Sequence, residues 1–212
     1  MTGTESLAAA VEAIDDLSVQ ATRYHDHVRE TRDDPKLSET YKGDVIAEAR
    51  KQFDGYHREV WFRAQDALAA AEEQAERHLS GPADEATETR KARAAMRVSR
   101  LIDSGTAPLD AAEMFAERRD LDALRALRDE VPSWVVATLP PSEQPHRQKV
   151  IASTLLALDQ RMQPLLSGAD ADAVRVRLAV ESERARLAAV NEHASRPTAS
   201  SQIRLAYASS VA

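Results

Sequence analysis

The stretch from Pro35 to Leu79 constrains this fold most, because it carries one stripe of apolar or small residues at helical spacing. The intervals are four, four and three residues, an eleven-residue period close to that of a straight α-helix. The pattern predicts one continuous helix about 65 Å long, with a narrow seam for packing against other helices. The stripe comprises Val45, Ala49, Phe53, Tyr56, Val60, Ala64, Ala67, Ala71 and Ala75.

A glycine inside this stretch allows a second interpretation. The Asp54-Gly55 dipeptide is typical of turns, and glycine in a helix costs about 1 kcal/mol relative to alanine. A chain reversal at Gly55 therefore competes with a continuous helix. We favour continuity because Phe53 and Val60 keep the same apolar phase on both sides of the glycine.

A first helix is predicted from about Glu5 to Thr31. Asp34 is expected to cap the long helix that follows, with Pro35 at its first position. Because the connection is short, we expect the two helices to form an antiparallel hairpin. The apolar face of the first helix comprises Leu7, Val11, Ile14, Leu17 and Ala21.

Shorter helical patterns fill the next part of the chain, with residues 131–145 read as a helical turn followed by an extended crossover. No strand pattern occurs before residue 195. The predicted fold is therefore all-α: a long antiparallel helical hairpin plus a small bundle of shorter helices, with an extended C-terminal arm. The predicted boundaries are 1–81 for the hairpin, 82–195 for the bundle of short helices and 196–212 for an extended or flexible arm.

The arm has a different composition from the rest of the chain, with few charges and many serines and alanines. Ile203, Leu205 and Tyr207 occupy alternate positions, which is the periodicity of a strand. Two interpretations stay open: a flexible terminus, or a strand that pairs with the sheet edge of another chain.

Composition excludes several classes of function. The 212 residues contain no cysteine, which rules out disulfides, zinc–thiolate sites and a thiol nucleophile. A net charge of −7 makes nucleic acid an unfavourable partner. We expect no membrane helix and no secretory signal, since no apolar run reaches the required length and no basic segment precedes one. We therefore expect synthesis in a cytoplasm, and we predict no cofactor.

A basic stripe is the most distinct charged feature. Arg90, Arg93, Arg97 and Arg100 are spaced three, four and three residues apart, which places them on one helix face. Arginine forks bind phosphates or carboxylates. The stripe is either a solvated face, partly paired within its own helix, or a surface for an acidic protein, with nucleic acid as the third alternative.

Two tryptophans are candidate anchors for contacts. Trp61 lies one position off the stripe of the long helix, and Trp134 precedes two valines. Each one either packs in a core or lies in a protein interface, where tryptophan is enriched.

Carboxylate–histidine pairs are the nearest approach to an enzyme motif. Asp54 precedes His57 by three residues, as Glu143 precedes His146, and di-iron helical bundles use this spacing. The two histidines of His25-Asp26-His27 point to different sides of a helix and cannot share an ion, so a surface role is expected. We predict neither a metal site nor catalytic residues.

One pattern resembles a known family. Leu37-Ser38-Glu39 before a long charged helix, then residues 109–127, then Trp134-Val135-Val136, resemble helical proteins from the head-gene clusters of actinobacterial tailed phages. The resemblance covers about residues 37–138. It implies a part in capsid or neck structure or assembly, and it carries over no active-site residue.

The function expected from these features is that of a non-enzymatic virion protein assembled in the host cytoplasm. It would be a minor capsid, head-associated or head-to-tail component, or a scaffold. Its partners would be copies of itself and a phage shell or neck protein, contacted through the two tryptophans, the basic stripe and the arm. The alternatives are a helical adaptor for one protein partner and, more remotely, a metal-dependent helical-bundle enzyme.

Overall fold

The computed structural model describes residues 2–79 and 85–195. These residues form seven α-helices and two single-turn 3-10 helices, with no strand among them, which confirms the predicted all-α class. The predicted arm, residues 196–212, lies outside the described residues. The α-helices are α1 (Gly3–Asp33), α2 (Glu39–Leu79), α3 (Glu85–Asp103), α4 (Pro108–Glu117), α5 (Leu121–Thr138), α6 (Gln144–Met162) and α7 (Gly168–Ser195); the 3-10 turns are Pro141–Glu143 and Gln163–Leu165.

The described residues group into two units that do not follow the predicted domain boundaries. Unit 1 contains residues 2–76 and 179–195, and unit 2 contains Arg77–Leu178. The prediction placed all of 82–195 in one bundle, but the second half of α7 belongs with α1 and α2. An apolar stripe shows which face of a helix is buried but does not identify the helix that covers it.

Helix α2 runs through Gly55 without interruption, as the apolar phase predicted. A Cβ at Gly55 would meet no atom within 4 Å, so the glycine is not needed for a close approach. Of the predicted stripe, Phe53, Val60 and Ala64 are among the buried members. A reversal at Gly55 does not occur.

The start of α2 differs from the prediction, because Pro35 lies in the turn before the helix. The carboxylate of Asp34 accepts a hydrogen bond from the Lys36 amide (2.8 Å), which stabilises that turn. The Ser38 hydroxyl accepts one from the Tyr41 amide (3.3 Å), as a helix N-cap does. Serine therefore takes the capping position that we assigned to Asp34.

In unit 1, α1 and α2 contact each other in reverse chain order. Early residues of α1 contact late residues of α2, an order that an antiparallel pair gives. The contacts are Ser6 with Gln74 (3.5 Å), Asp16 with Tyr56, and the rings of Tyr24 and Phe53, stacked with centroids 4.5 Å apart.

The second half of α7 forms ion pairs with both of these helices. Arg186 pairs with Asp15 of α1, and Arg184 pairs with Glu72 of α2. Leu187, which lies between these arginines and the helix end, is buried. The described part of unit 1 therefore contains three helical segments, where the sequence predicted two.

Unit 2 packs α3, α4 and α6 around α5. α5 continues through Pro132 to Thr138, and further helical turns begin at Pro141 and Gln144, so the prediction of a helical turn followed by an extended crossover over residues 131–145 is wrong. Val131 and Val135, both fully buried, lie one turn apart on the face that packs against the core, and their burial favours a helix across the proline. Arg147 then donates to the carbonyl oxygens of Leu139 and Val136 (both 2.9 Å), which satisfies groups at the end of α5.

Candidate interaction surface

Two adjacent aromatic residues on α2 mark a surface of unit 1. Trp61 is half-buried, whereas the neighbouring Phe62 is 53% exposed. Their ring centroids lie 5.3 Å apart with the planes at 74°, an edge-to-face pair. The tryptophan thus supports a phenyl ring that projects from the helix.

A groove between α2 and the second half of α7 adjoins this pair. Its volume is about 570 Å³. Phe62 precedes Asp66 by one turn and Ala69 by two, so the ring lies on the same face as the α2 wall of the groove. The groove is lined by Trp61, Gln65, Asp66, Leu68, Ala69, Arg184, Leu187, Ala188 and Asn191.

One wall of the groove carries a fixed cation. Burial works to lower the pKa of Arg184, but its hydrogen bonds and charge interactions with Glu72 and Glu181 outweigh it and raise the pKa. One guanidinium nitrogen lies 2.6 Å from the Glu181 carboxylate. The exposed Asp66 lies on the opposite wall, on α2. The groove therefore offers both charge signs around an apolar floor.

The arginine stripe of α3 is partly used inside unit 2. Arg97 lies 2.8 Å from the Asp120 carboxylate, and Arg90 lies 4.0 Å from that of Asp122. Both acids belong to the beginning of α5, where Asp120 also accepts a hydrogen bond from the Ala123 amide (3.1 Å). These two arginines therefore connect α3 to the start of α5.

The other two arginines of the stripe, Arg93 and Arg100, are exposed and form no ion pair within residues 2–79 and 85–195. Within α3, Lys91 lies 3.3 Å from the Glu88 carboxylate. The acids that bind the stripe come from another helix, which spacing within α3 could not show.

Trp134 is half-buried and packs against the core of unit 2. Val136, two residues later, is 56% exposed. The tryptophan therefore contributes to packing inside the unit. The remaining predicted contact residues, Ile203, Leu205 and Tyr207, lie outside the described residues.

The carboxylate–histidine pairs end up in different surroundings. Asp54 and His57 both line a cavity in unit 1, whereas Glu143 and His146 are exposed near the start of α6. No group of three histidine, aspartate or glutamate side chains within the described part of the chain could hold a metal ion.

A buried carboxylate in unit 2 was not singled out from the sequence. Asp159 is 1% exposed and interacts with Arg128 (3.3 Å) and Arg177 (3.2 Å). It follows Leu155 by four residues, within the apolar phase of α6. The sequence could have revealed this buried carboxylate, because an aspartate occupies a position that the apolar phase predicts to be buried.

In comparisons with known proteins, no family model, curated protein or solved structure matches the chain significantly. Each helix in the described part of the chain is too short or too polar to span a bilayer.

Proposed function

We propose that this chain is a non-enzymatic structural or assembly component of a tailed bacteriophage particle, assembled in the host cytoplasm. It would serve as a minor capsid, head-associated or head-to-tail component, or as a scaffold. It would act by contacting copies of itself and a shell or neck protein. The resemblance of residues 37–138 to head-gene-cluster proteins supports a role in a phage particle. The surface at Trp61 supports the proposed contacts with other protein chains.

The exposed ring of Phe62 beside the groove carries this proposal. A phenyl ring 53% exposed leaves apolar area in water that a contact would remove, which is favourable at about 25 cal/mol per Å². Solvent-exposed aromatic residues beside a recess are typical of interface hot spots.

The first occupant that we propose for the groove is a second copy of the chain. A two-fold contact pairs one patch with itself, so a patch with both a projecting ring and a recess can be self-complementary. In such a contact, Phe62 of each copy enters the groove of the other. Asp66 and Arg184 also give the patch both charges needed to pair with its own copy.

The experiment is detection of the chain in purified phage particles and in precursor heads by mass spectrometry. We expect it in one of the two: a minor capsid or neck component stays in the mature particle, whereas a scaffold is present in precursors alone. Absence from both would contradict the proposal.

The two alternatives have their own distinguishing results. A helical adaptor would form a complex of fixed stoichiometry with one protein and would not associate with particles. A metal-dependent bundle enzyme would retain iron, manganese or zinc in a fixed ratio after purification, which elemental analysis of the full chain measures. Either result would replace the assembly role.

A further inference from the structure

A cavity in unit 1 brings histidines from three helical segments to one place. Its volume is about 380 Å³, and residues of α1, α2 and the end of α7 line it. His193, 5% exposed, precedes two of the α7 residues at the wall. The lining residues are Tyr24, His25, Val28, Arg32, Arg50, Phe53, Asp54, His57, Ala194 and Ser195.

A histidine–histidine contact connects α1 with the end of α7. Nε2 of His25 donates a hydrogen bond to the carbonyl oxygen of His193 (3.0 Å), which fixes the proton on that nitrogen. The two rings lie edge to face with centroids 5.2 Å apart. Burial, followed by the charge of His25, lowers the pKa of His193. His25 is therefore half-buried against α7, whereas His27 is exposed, so the expected surface role fits His27 and not His25.

His57 is the α2 member of the cluster. Its ring lies 5.7 Å from that of Phe53, and its Nε2 atom is buried without a hydrogen-bond partner in the described residues. Burial lowers the pKa of His57 and outweighs Asp54 and Asn191, which both act to raise it. Adding a proton here creates a charge without a strong counter-ion.

The other charged groups around the cavity are mostly positive. Arg32 of α1 and Arg50 of α2 line it, and Asp54, the one carboxylate among the described lining residues, lies 3.6 Å from Arg50. On α7, Glu192 is exposed next to His193. A proton taken up by the cluster therefore adds like charge to a region that already contains two arginines.

We infer that His25, His57 and His193 form a pH-sensitive lock that joins the end of α7 to α1 and α2. With His57 and His193 neutral, the three segments pack around the cavity. In acid, His57 and His193 become charged in a cluster that already contains Arg32 and Arg50, and the added like charge loosens the end of α7. The inference concerns unit 1 itself and does not depend on the proposed function.

The direction of the pH dependence follows from linkage. A histidine whose pKa is lowered by folding contributes stability that is fully present above the unfolded value, near 6.5, and is lost as the pH falls below it. Below pH 6.5, the form in which the end of α7 is detached binds more protons than the form in which it is packed. From pH 6.5 to 5.5, the equilibrium constant for opening should rise by up to about fivefold for each histidine that stays neutral in the closed form.

The test is hydrogen exchange of the full chain at pH 7.5 and 5.5, corrected for intrinsic exchange rates. We expect residues 185–195 to lose protection in acid by several-fold, at most about a hundredfold for two histidines. A His57→Gln, His193→Gln double variant should lose this pH dependence. His27→Gln, an exposed histidine of α1, is the matched control and should behave as wild type.

Equal pH dependence in the wild type and the double variant would overturn the inference. If the double variant does not fold, NMR titration of the wild-type histidines decides. Midpoints for His57 and His193 below about 6.5, the value of an unperturbed histidine, support the lock; midpoints at or above that value overturn it.

Discussion

Asp159 of α6 is the carboxylate on which two arginines of unit 2 converge. It is 1% exposed, and the side chains of Arg128 and Arg177 are 10% and 11% exposed. Asp159→Asn removes the negative charge and leaves both guanidinium groups buried. Breaking a buried ion pair costs about 3–5 kcal/mol, so we expect a loss of that size in the free energy of unfolding of unit 2.

Urea unfolding followed by tryptophan fluorescence measures this loss. A Trp61→Phe background leaves Trp134 as the reporter of unit 2. Asp172→Asn is the control, because Asp172 pairs with Arg175 at the surface, where such pairs contribute below about 1 kcal/mol. Equal effects of the two substitutions would contradict the structural role of Asp159.

A substitution at Val60, which is 1% exposed, tests whether the apolar stripe of α2 is buried. Val60→Asp buries a carboxylate without a partner, so we expect unit 1 to lose several kcal/mol of stability and its melting temperature to fall. Thermal unfolding by circular dichroism measures the change. Val19→Asp, at a position of α1 that is 47% exposed, should leave the melting temperature nearly unchanged. An unchanged melting temperature in the Val60 variant would show that the stripe faces solvent.

At the scale of an element, Gly55 distinguishes a continuous α2 from a reversed chain. In a helix with open space around the Cβ position, Gly55→Ala should stabilise by about 0.5–1 kcal/mol. Gly43→Ala should act in the same direction. Gly105→Ala is the contrasting variant, because Gly105 follows α3 with φ of +89°, which disfavours a side chain.

Chemical unfolding measures all three glycine variants. Destabilisation by Gly55→Ala of the same size as that caused by Gly105→Ala would indicate a turn at Gly55 and would contradict the continuous helix.

The buried face of a helix could be predicted from the sequence, whereas the helices that pack against that face could not. The stripe through Phe53 and Val60 predicted α2 correctly across a glycine. Residues 131–138 were not predicted to continue α5, but burial of Val131 and Val135, which depends on tertiary packing, outweighs the cost of Pro132 within the helix.

The candidate surface was predictable in part. Trp61 was identified as an anchor because it lies off the apolar stripe of α2. The exposure of Phe62 depends on where α7 packs against α2. The sequence pattern of α2 does not predict that position. The ion pairs of Arg90 and Arg97 were missed for the same reason, since their acids lie on α5.

At the scale of the whole molecule, two features with different physical origins carry the account. The groove beside Phe62 is the contact surface that we propose for self-assembly, which depends on protein concentration. The histidine cluster at the end of α7 responds to pH. Phe62 lies away from the histidine cavity, so a substitution there tests assembly alone, whereas loosening of the end of α7 also affects the groove wall that Leu187, Ala188 and Asn191 form.

Sedimentation velocity of the full chain over a range of concentrations tests the central claim, self-assembly through the surface at Phe62. We predict a concentration-dependent oligomer that Phe62→Ser weakens by at least about tenfold in Kd, without a change in melting temperature. Tyr41→Ser, at another exposed aromatic position on α2 (56%), should leave association unchanged. A wild-type chain that stays monomeric, or a Phe62→Ser variant that associates like the wild type, would contradict the account.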